Sequence, residues 1–468
     1  MPGENKSAYP FYIVTGSLIC LVVLSQLHLN LSLKDFQFRR LDMLSELRTD
    51  PADKKRELIA GKDSSKLSLS DSTQVAGTTP GSTANPDAAY DFMSYKGILN
   101  YASPASGDGN AGIDRFLAAL RDLKAGKRKK VRIAYFGDSM IEGDLITSDL
   151  RDSLQTNFGG AGVGFVPVTS VVATYRTTIN HTFSKDWKDY HYKNSPPSNI
   201  TLGLSGHTFF PASGSWVRYA PVKKPRLDKF EEVSVLFGPA EATTLSINDK
   251  AYTLSGNQPV NRLDLRADTG ASPLMIKYGG PSLPFYGVCF ESDNGVYVDN
   301  YSFRGISGVE LGHLSAGMVR KMQEERPYDL IVLHYGANVL FRPELTDYSW
   351  YERPMKKVMD SLRNDLPGTS FLIVGTADKS YRKGDRYITA PGVEALLKVQ
   401  HELATGFGTG YWNLYAAMGG DGSMVKWVEG DTVLANKDYT HLNRQGAAKV
   451  GALLYKAIMN DYRQAENH

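Results

Sequence analysis

The chain reads as an α/β protein: a doubly wound parallel sheet, interrupted by an inserted all-β jelly-roll domain and preceded by an N-terminal membrane-spanning helix. Three observations predict this. Strand-like apolar runs alternate with amphipathic helical stretches from Gly112 onward and again in the C-terminal third, the grammar of a parallel sheet covered on both faces. Between them, short segments of alternating polarity are separated by Gly, Pro, Asn and Asp, the texture of a sandwich or jelly roll. Near the start, one apolar run from Phe11 to Leu29 is long enough, at about 1.5 Å per residue, to cross a hydrocarbon core of about 30 Å.

That run is expected to be an uncleaved anchor; a cleaved signal is the rival, though Lys6 is the only lysine or arginine ahead of it and no clean small-x-small site follows. From Lys34 to about Glu57, apolar residues at helical spacing (Phe36, Leu41, Leu44, Leu47) suggest a stalk helix. Lys62 to Ala89 is rich in Ser, Thr, Gly and Pro, too poor in apolar area to offset ordering, and reads as a flexible linker. The expected divisions are therefore 1–33 anchor or signal, 34–88 stalk and linker, 89–180 first part of the α/β domain, 181–298 the insertion, and 299–468 its second part.

Within the α/β parts, Gly112 to Leu123 has apolar residues at helical spacing, and Val131 to Ser139 is a strand entering a Gly-Asp-Ser turn. A helical patch follows from Leu145 to Leu154. Later, Val309 to Glu325 reads as one helix, Tyr328 to Asn338 as a buried strand and turn, and Pro354 to Asp365 as a helix. Thr369 to Asp378 is a strand, Val393 to Phe407 a helix, Gly410 to Leu414 a short strand, and Gly446 to Tyr462 the last helix. Loops at the strands' C-terminal ends should carry the site.

Composition narrows the function. With 53 basic and 50 acidic residues the net charge is +3, and no zinc-finger or RNA-recognition pattern occurs, so nucleic acid is not an expected partner. Two cysteines, Cys20 and Cys289, provide neither a disulfide framework nor a thiolate metal site. The nine histidines form no His-Glu-x-x-His pattern. No metal or organic cofactor is implied.

Four short motifs carry chemistry. Ser139, in a turn between a buried strand and a helix, is exposed beside backbone N–H groups that can hold an oxyanion. Serine needs a base, and Asp438-Tyr439-Thr440-His441 offers one: three-residue spacing lets the carboxylate reach the imidazole Nδ1 and fix its tautomer. Asn338, in Gly336-Ala337-Asn338 after a buried strand, can donate its amide. Gly308, in Gly305-Ile306-Ser307-Gly308, can present its N–H. Each alone is an ordinary turn or cap; together they supply nucleophile, base, orienting acid and oxyanion donors.

This ordered set resembles the SGNH (GDSL-type) hydrolase superfamily. The resemblance implies a flavodoxin-like sheet, Ser139, Asp438 and His441 as catalytic triad, and Ser139, Gly308 and Asn338 as oxyanion hole. The third block departs from the pattern, with no Asp after Asn338. Phe136 to Asp144, Phe158 to Pro167, the all-β insertion, and Val298 to Gly308 are further similar to bacterial peptidoglycan O-acetylesterases, in which a carbohydrate-binding-like jelly roll interrupts the hydrolase. The implied function is a serine esterase removing acetyl groups from an acetylated polysaccharide, with acyl transfer and glycan binding without turnover as alternatives. The implied site of action is the periplasmic side of the bacterial inner membrane. The charge count alone (Lys34, Arg39, Arg40 and Arg48 after the span) points the other way.

Other residues have plainer readings. Trp187, Tyr190, His191 and Tyr192 could stack on sugars but are more ordinarily packing. His334 is a core histidine, and Asp144 and Glu142 complement a helix N-terminus.

Overall fold

The computed structural model describes residues 91–465, apart from 103–110, 195 and 271–272, together with Ser32–Leu33 and Phe36–Gln37. Two compact units divide the chain, Met1–Ser82 and Thr83–His468. In the first, Ser32–Leu33 pairs antiparallel with Phe36–Gln37, Leu33 opposite Phe36. This corrects the expected stalk helix at its first turn, because Phe36 finds its backbone partners across a ladder rather than along a helix. The apolar run Phe11 to Leu29 and the linker Lys62 to Ala89 lie outside the described residues. Among the described residues no helix is long and apolar enough to cross a membrane.

The second unit is built on strands β1 (Ile98–Asn100), β2 (Lys130–Gly137), β3 (Gly295–Ser302), β4 (Leu330–His334), β5 (Ser370–Gly375) and β6 (Gly410–Asn413). They form one sheet in the order β3-β2-β4-β5-β6-β1. Neighbours are parallel except β1, which runs antiparallel to β6. The sheet is thus mixed rather than purely parallel, the short β1 covering an edge that would otherwise present unpaired backbone groups.

Helices α1 (Asp114–Lys124), α2 (Thr147–Phe158), α3 (Ala316–Glu325), α4 (Ser349–Asp365), α5 (Gly392–Phe407) and α6 (Arg444–Gln464) cover both faces. Strand alternation decides which. Val131, Ile133 and Tyr135 of β2 share a core with Phe116 of α1, Leu150 of α2 and Val450 of α6. Ala134 and Phe136, on the other face, join Met318 of α3, Met355 of α4 and Leu396 of α5. Each such buried side chain contributes about 1.5–3 kcal/mol relative to exposure.

Two helices differ from expectation. Val309 to Glu325 is a 3-10 turn, Val309–His313, followed by α3, because Ser315 breaks the run and caps α3 by accepting from Met318 N (3.2 Å). Helix α4 begins at Ser349, ahead of Pro354, which lies inside it and forgoes one intrahelical bond near its start.

From β2 the chain goes to β3 on one side and then to β4 on the other, so the winding reverses at β2. Between β2 and β3 lie two antiparallel sheets. One comprises Lys188–His191, His207–Phe210, Phe230–Phe237, Asn261–Gly270 and Phe285–Glu291, with Gly164–Val166 added to the last. The other comprises Asn180–Phe183, Trp216–Ala220, Ala240–Ile247, Lys250–Gly256 and Leu274–Tyr278. Val233, Val235 and Phe237 of the first share a core with Val217, Tyr219, Leu245 and Ile276 of the second. The strands set boundaries unlike 181–298: Gly164–Val166 and Asn180 already belong to these sheets, and Gly295 to Val298 open β3.

Strand Phe285–Glu291 is buried throughout, Val288 and Phe290 facing the insert's core and Cys289 the α/β core. Ions fix this joint. Arg132 of β2 donates to both Glu291 oxygens (2.9 and 2.8 Å), and Arg326 bridges Glu291 and Asp299 of β3, each at 2.8 Å. Burial works against the Glu291 charge, but Arg326, Arg132 and Lys130 outweigh it and hold the carboxyl below its ordinary range.

Candidate active site

β2 ends at Gly137, opposite Ser302 of β3 and His334 of β4. All three strands therefore release their loops at one edge of the sheet. A Cβ on Gly137 would sit 3.0 Å from His334 O, so the small residue lets the chain turn there. Ser139 Oγ lies 2.8 Å from His441 Nε2, and His441 Nδ1 lies 2.7 Å from Asp438 Oδ2. With Nδ1–H donated to Asp438, Nε2 is left to accept the serine proton. Asp438 Oδ1 accepts from the N–H groups of Thr440 and His441, each at 3.0 Å. Partial burial opposes its charge, but the bonds from His441 and Thr440 prevail and keep Asp438 below the usual carboxylate range.

The loop holding this base is itself fixed. Asn436 N donates to His441 O, Ser380 N donates to Tyr439 O, and Tyr439 stacks on Tyr387 with centroids 3.6 Å apart. Asn443 then caps α6, accepting from Gly446 N at 2.9 Å.

The expected oxyanion donors also gather here, but two already have protein acceptors. Gly308 N donates to Glu310 Oε2 (3.1 Å), which also takes the N–H and hydroxyl of Ser307. Asn338 Nδ2 donates to Asp138 Oδ2 and to Ile306 O, both at 3.0 Å. A substrate oxygen must displace or share these partners. Ser139 N has no protein acceptor among the described residues. Gly308 holds φ +98°, and a Cβ there would lie 2.6 Å from the Tyr335 ring, so the turn is specific to glycine.

Two carboxylates central to this arrangement escaped the sequence reading. Asp138 accepts from Met140 N (2.9 Å) as well as Asn338, tying the nucleophile turn to the Asn338 turn. Burial pushes it up to about 6, against the pull of the Met140 N–H, His441 and Asn338. Its signal was its place in Gly-Asp-Ser. Glu310 completes Ser-x-x-Glu with Ser307, a capping-box spacing ahead of the turn Val309–His313. Lys379, a third omission, donates to Ala337 O (3.2 Å) and Leu340 O (2.9 Å), bracing the Asn338 turn. With Met140, Ala337 and Thr440 it lines a shallow cleft.

The plainer readings fare as follows. His334 is buried against Tyr135 OH (3.0 Å from Nδ1), and burial pushes it down to about 4, a neutral core residue. Trp187 packs on Phe285 and donates to Trp216 O, while Tyr192 is buried against Phe303. Glu142 stands in the first turn of the 3-10 helix Glu142–Asp144 and also pairs with Arg304. Asp144 does more than complement a helix. Fully buried, it accepts from Thr147, Arg151 and Thr178 (2.7 Å for Thr147, 2.6 Å for Thr178).

In fold, the doubly wound sheet with its candidate site at one strand edge resembles that of SGNH hydrolases. In particular, the structure matches one titled as a peptidoglycan O-acetylesterase in action, with a TM-score of 0.64 and 22% identity, covering 78% of this chain and 99% of that one. Slighter overlaps occur with a family two carbohydrate esterase from Cellvibrio japonicus (TM-score 0.26, 9% identity, 60% of this chain and 99% of that one) and a lipase/acylhydrolase from Enterococcus faecalis (0.26, 17%, 36% and 78%). No family model matches the sequence. No curated protein matches it either.

Proposed function

We propose that the chain is a serine esterase that removes O-acetyl groups from a cell-envelope polysaccharide, O-acetylated peptidoglycan first among them. The observation that carries this is the continuous chain of hydrogen bonds from Ser139 Oγ through His441 to Asp438, at the sheet edge where such folds place their sites. His441 Nε2 takes the serine proton as Oγ attacks the acetyl carbonyl, and the imidazolium that forms is held by Asp438. Ser139 N–H, Gly308 N–H and the Asn338 amide receive the tetrahedral oxyanion. His441 then protonates the departing sugar oxygen, which leaves as a hydroxyl, and water, activated by the same imidazole, releases acetate and restores the serine.

The base is open to water: the His441 and Asp438 side chains are 38% and 50% exposed. That favours hydrolysis over transfer to a sugar acceptor, since transfer needs water kept out. The reading also places the catalytic unit on the exported, periplasmic side, tethered by the apolar run Phe11 to Leu29. Acetate release from O-acetylated peptidoglycan, acetylated xylan and a short aryl acetate, wild type beside Ser139→Ala, tests it. Full activity in Ser139→Ala would end the assignment.

A further inference from the structure

Five large hydrophobic side chains stand exposed among the described residues: Val171, Tyr175, Phe341, Trp350 and Val433. Single exposed apolar residues are ordinary when scattered. Three of them stand on segments tied to the site's own loops. Tyr175, 73% exposed, belongs to a turn tied to the chain a few residues past His441 and a few residues past Ser139. Arg444, three residues past His441, donates to Tyr175 O (3.1 Å) and Thr177 Oγ1 (2.5 Å). Arg176 and Thr178, flanking it, reach Asp144, five residues past Ser139, at 3.4 and 2.6 Å. The backbone and the neighbours are fastened, and the phenol ring is left to solvent.

A second platform lies beyond Asn338. Phe341, three residues on, meets Trp350 of the first turn of α4 with ring centroids 6.0 Å apart at 75°. Both rings are exposed, at 58% and 43%. The layers set where the two platforms stand. Arg444, which holds Tyr175, opens α6, in the helical layer of α1 and α2; Trp350 opens α4, in the opposite layer. Ser139 follows β2, a strand of the sheet that separates these two helical layers.

We infer that Tyr175 on one side, and the Phe341–Trp350 pair on the other, are stacking platforms for sugar rings flanking the acetylated sugar. The site then takes an internal unit of a glycan chain. This deepens the esterase reading and rests on it. A pyranose offers a face of C–H groups to an aromatic ring while its hydroxyls stay in water, which suits rings that are partly packed and partly exposed. The Arg342 guanidinium over the Phe341 ring (5.5 Å) keeps this rim polar, as a hydrated polymer requires and an acyl chain does not.

The test compares Tyr175→Ala and the Phe341→Ala/Trp350→Ala double variant with wild type, using the full chain. Each is measured on O-acetylated peptidoglycan strands, on 4-nitrophenyl acetate and on 4-nitrophenyl octanoate. The ratio of kcat/KM on the glycan to that on the aryl acetate should fall about tenfold in each variant, and Tyr175→Phe should restore it. An unchanged ratio overturns the inference, including the case where a damaged fold lowers both activities together. So does a selective loss on the octanoate, which would make these rings an acyl-chain surface. If wild type cleaves the aryl acetate but no glycan, the substrate reading itself fails; if wild type cleaves glycan and the variants keep its ratio, only the platforms fail.

Discussion

Replacing Asn338 with Ala separates the proposed oxyanion role of its amide from the hydrogen bond it makes to Asp138. As an oxyanion donor, its Nδ2–H should stabilise the transition state by about 3 kcal/mol, roughly a hundredfold in kcat. As a partner of Asp138 Oδ2 at 3.0 Å, it also supports a fully buried carboxylate. Asp138 is held at about 6 against an ordinary 3.8, so keeping it ionised at neutral pH already costs about 3 kcal/mol of folding stability. The sign follows from the raised value. Its favourable contribution is full below 3.8 and is lost as pH rises through about 6. Without the Asn338 bond the carboxyl rises further, and the loss extends to higher pH. The assay is kcat and KM on a short aryl acetate at pH 8, with thermal melts at pH 5 and pH 8. Asn338→Ala should lose about a hundredfold in kcat with KM nearly constant, and its Tm deficit should be larger at pH 8 than at pH 5. A fall in kcat of less than about fivefold would refute the donor role. An equal or smaller Tm deficit at pH 8 would refute the account of Asp138.

Other expectations follow from the same geometry. Asp438→Asn removes the acceptor that fixes His441 Nδ1 at 2.7 Å, so kcat should drop by about 10³–10⁴-fold while the melting curve barely moves. Gly308→Ala forces a Cβ to 2.6 Å from Tyr335 at φ +98°; calorimetry should show a loss of about 2 kcal/mol or more, with kcat falling as well. Arg326→Met strips the bridge between Glu291 and Asp299, costing about 3–5 kcal/mol near neutrality. Glu291 is held below its ordinary 4.5, so its contribution is present above that pH and lost as pH falls. The Tm gap between wild type and Arg326→Met should therefore narrow as pH falls below 4.5, and a gap unchanged between pH 7 and about pH 3 would count against the ionic account.

Most of the α/β body was legible because its signals are local. The apolar run before Gly137 forms a strand, and α1, α5 and α6 form near their periodic stretches, since strand alternation and helical spacing need no distant partner. The triad spacing was legible for the same reason: Asp438 reaches His441 around one turn of its own loop. Strand β3 was hidden because Asp299 and Asn300 interrupt its apolar pattern, and these two are buried with distant partners that include Arg326, Tyr328 and Thr147. Nothing local announces that pairing. Glu310 and Asp138 were passed over because their partners, Gly308 and Asn338, had been assigned to substrate alone.

The same non-local contacts change what the insertion is. Sequence texture presents it as a separate all-β domain inserted at 181–298. Yet Gly295 to Val298 are the first half of β3, paired with Lys130 to Ile133 of the nucleophile strand. Phe303, just past β3 and two residues before Gly305, stacks on His207 of the insert at 4.7 Å, and Lys193 donates to Arg304 O at 2.8 Å. On the other side, Asp144 and Ile146 hold positive φ of 69° and 62°, conformations that cost non-glycine residues about 1–3 kcal/mol each. What offsets that strain is the buried Asp144 carboxylate, gripped by Arg151 from α2 and by Thr178 and Arg176 from the segment leading into the insert. Both loops that flank Ser139 therefore take their shape from contacts with the all-β region. Ser139 belongs to the sheet, but the geometry that sets it against His441 is shared between the two.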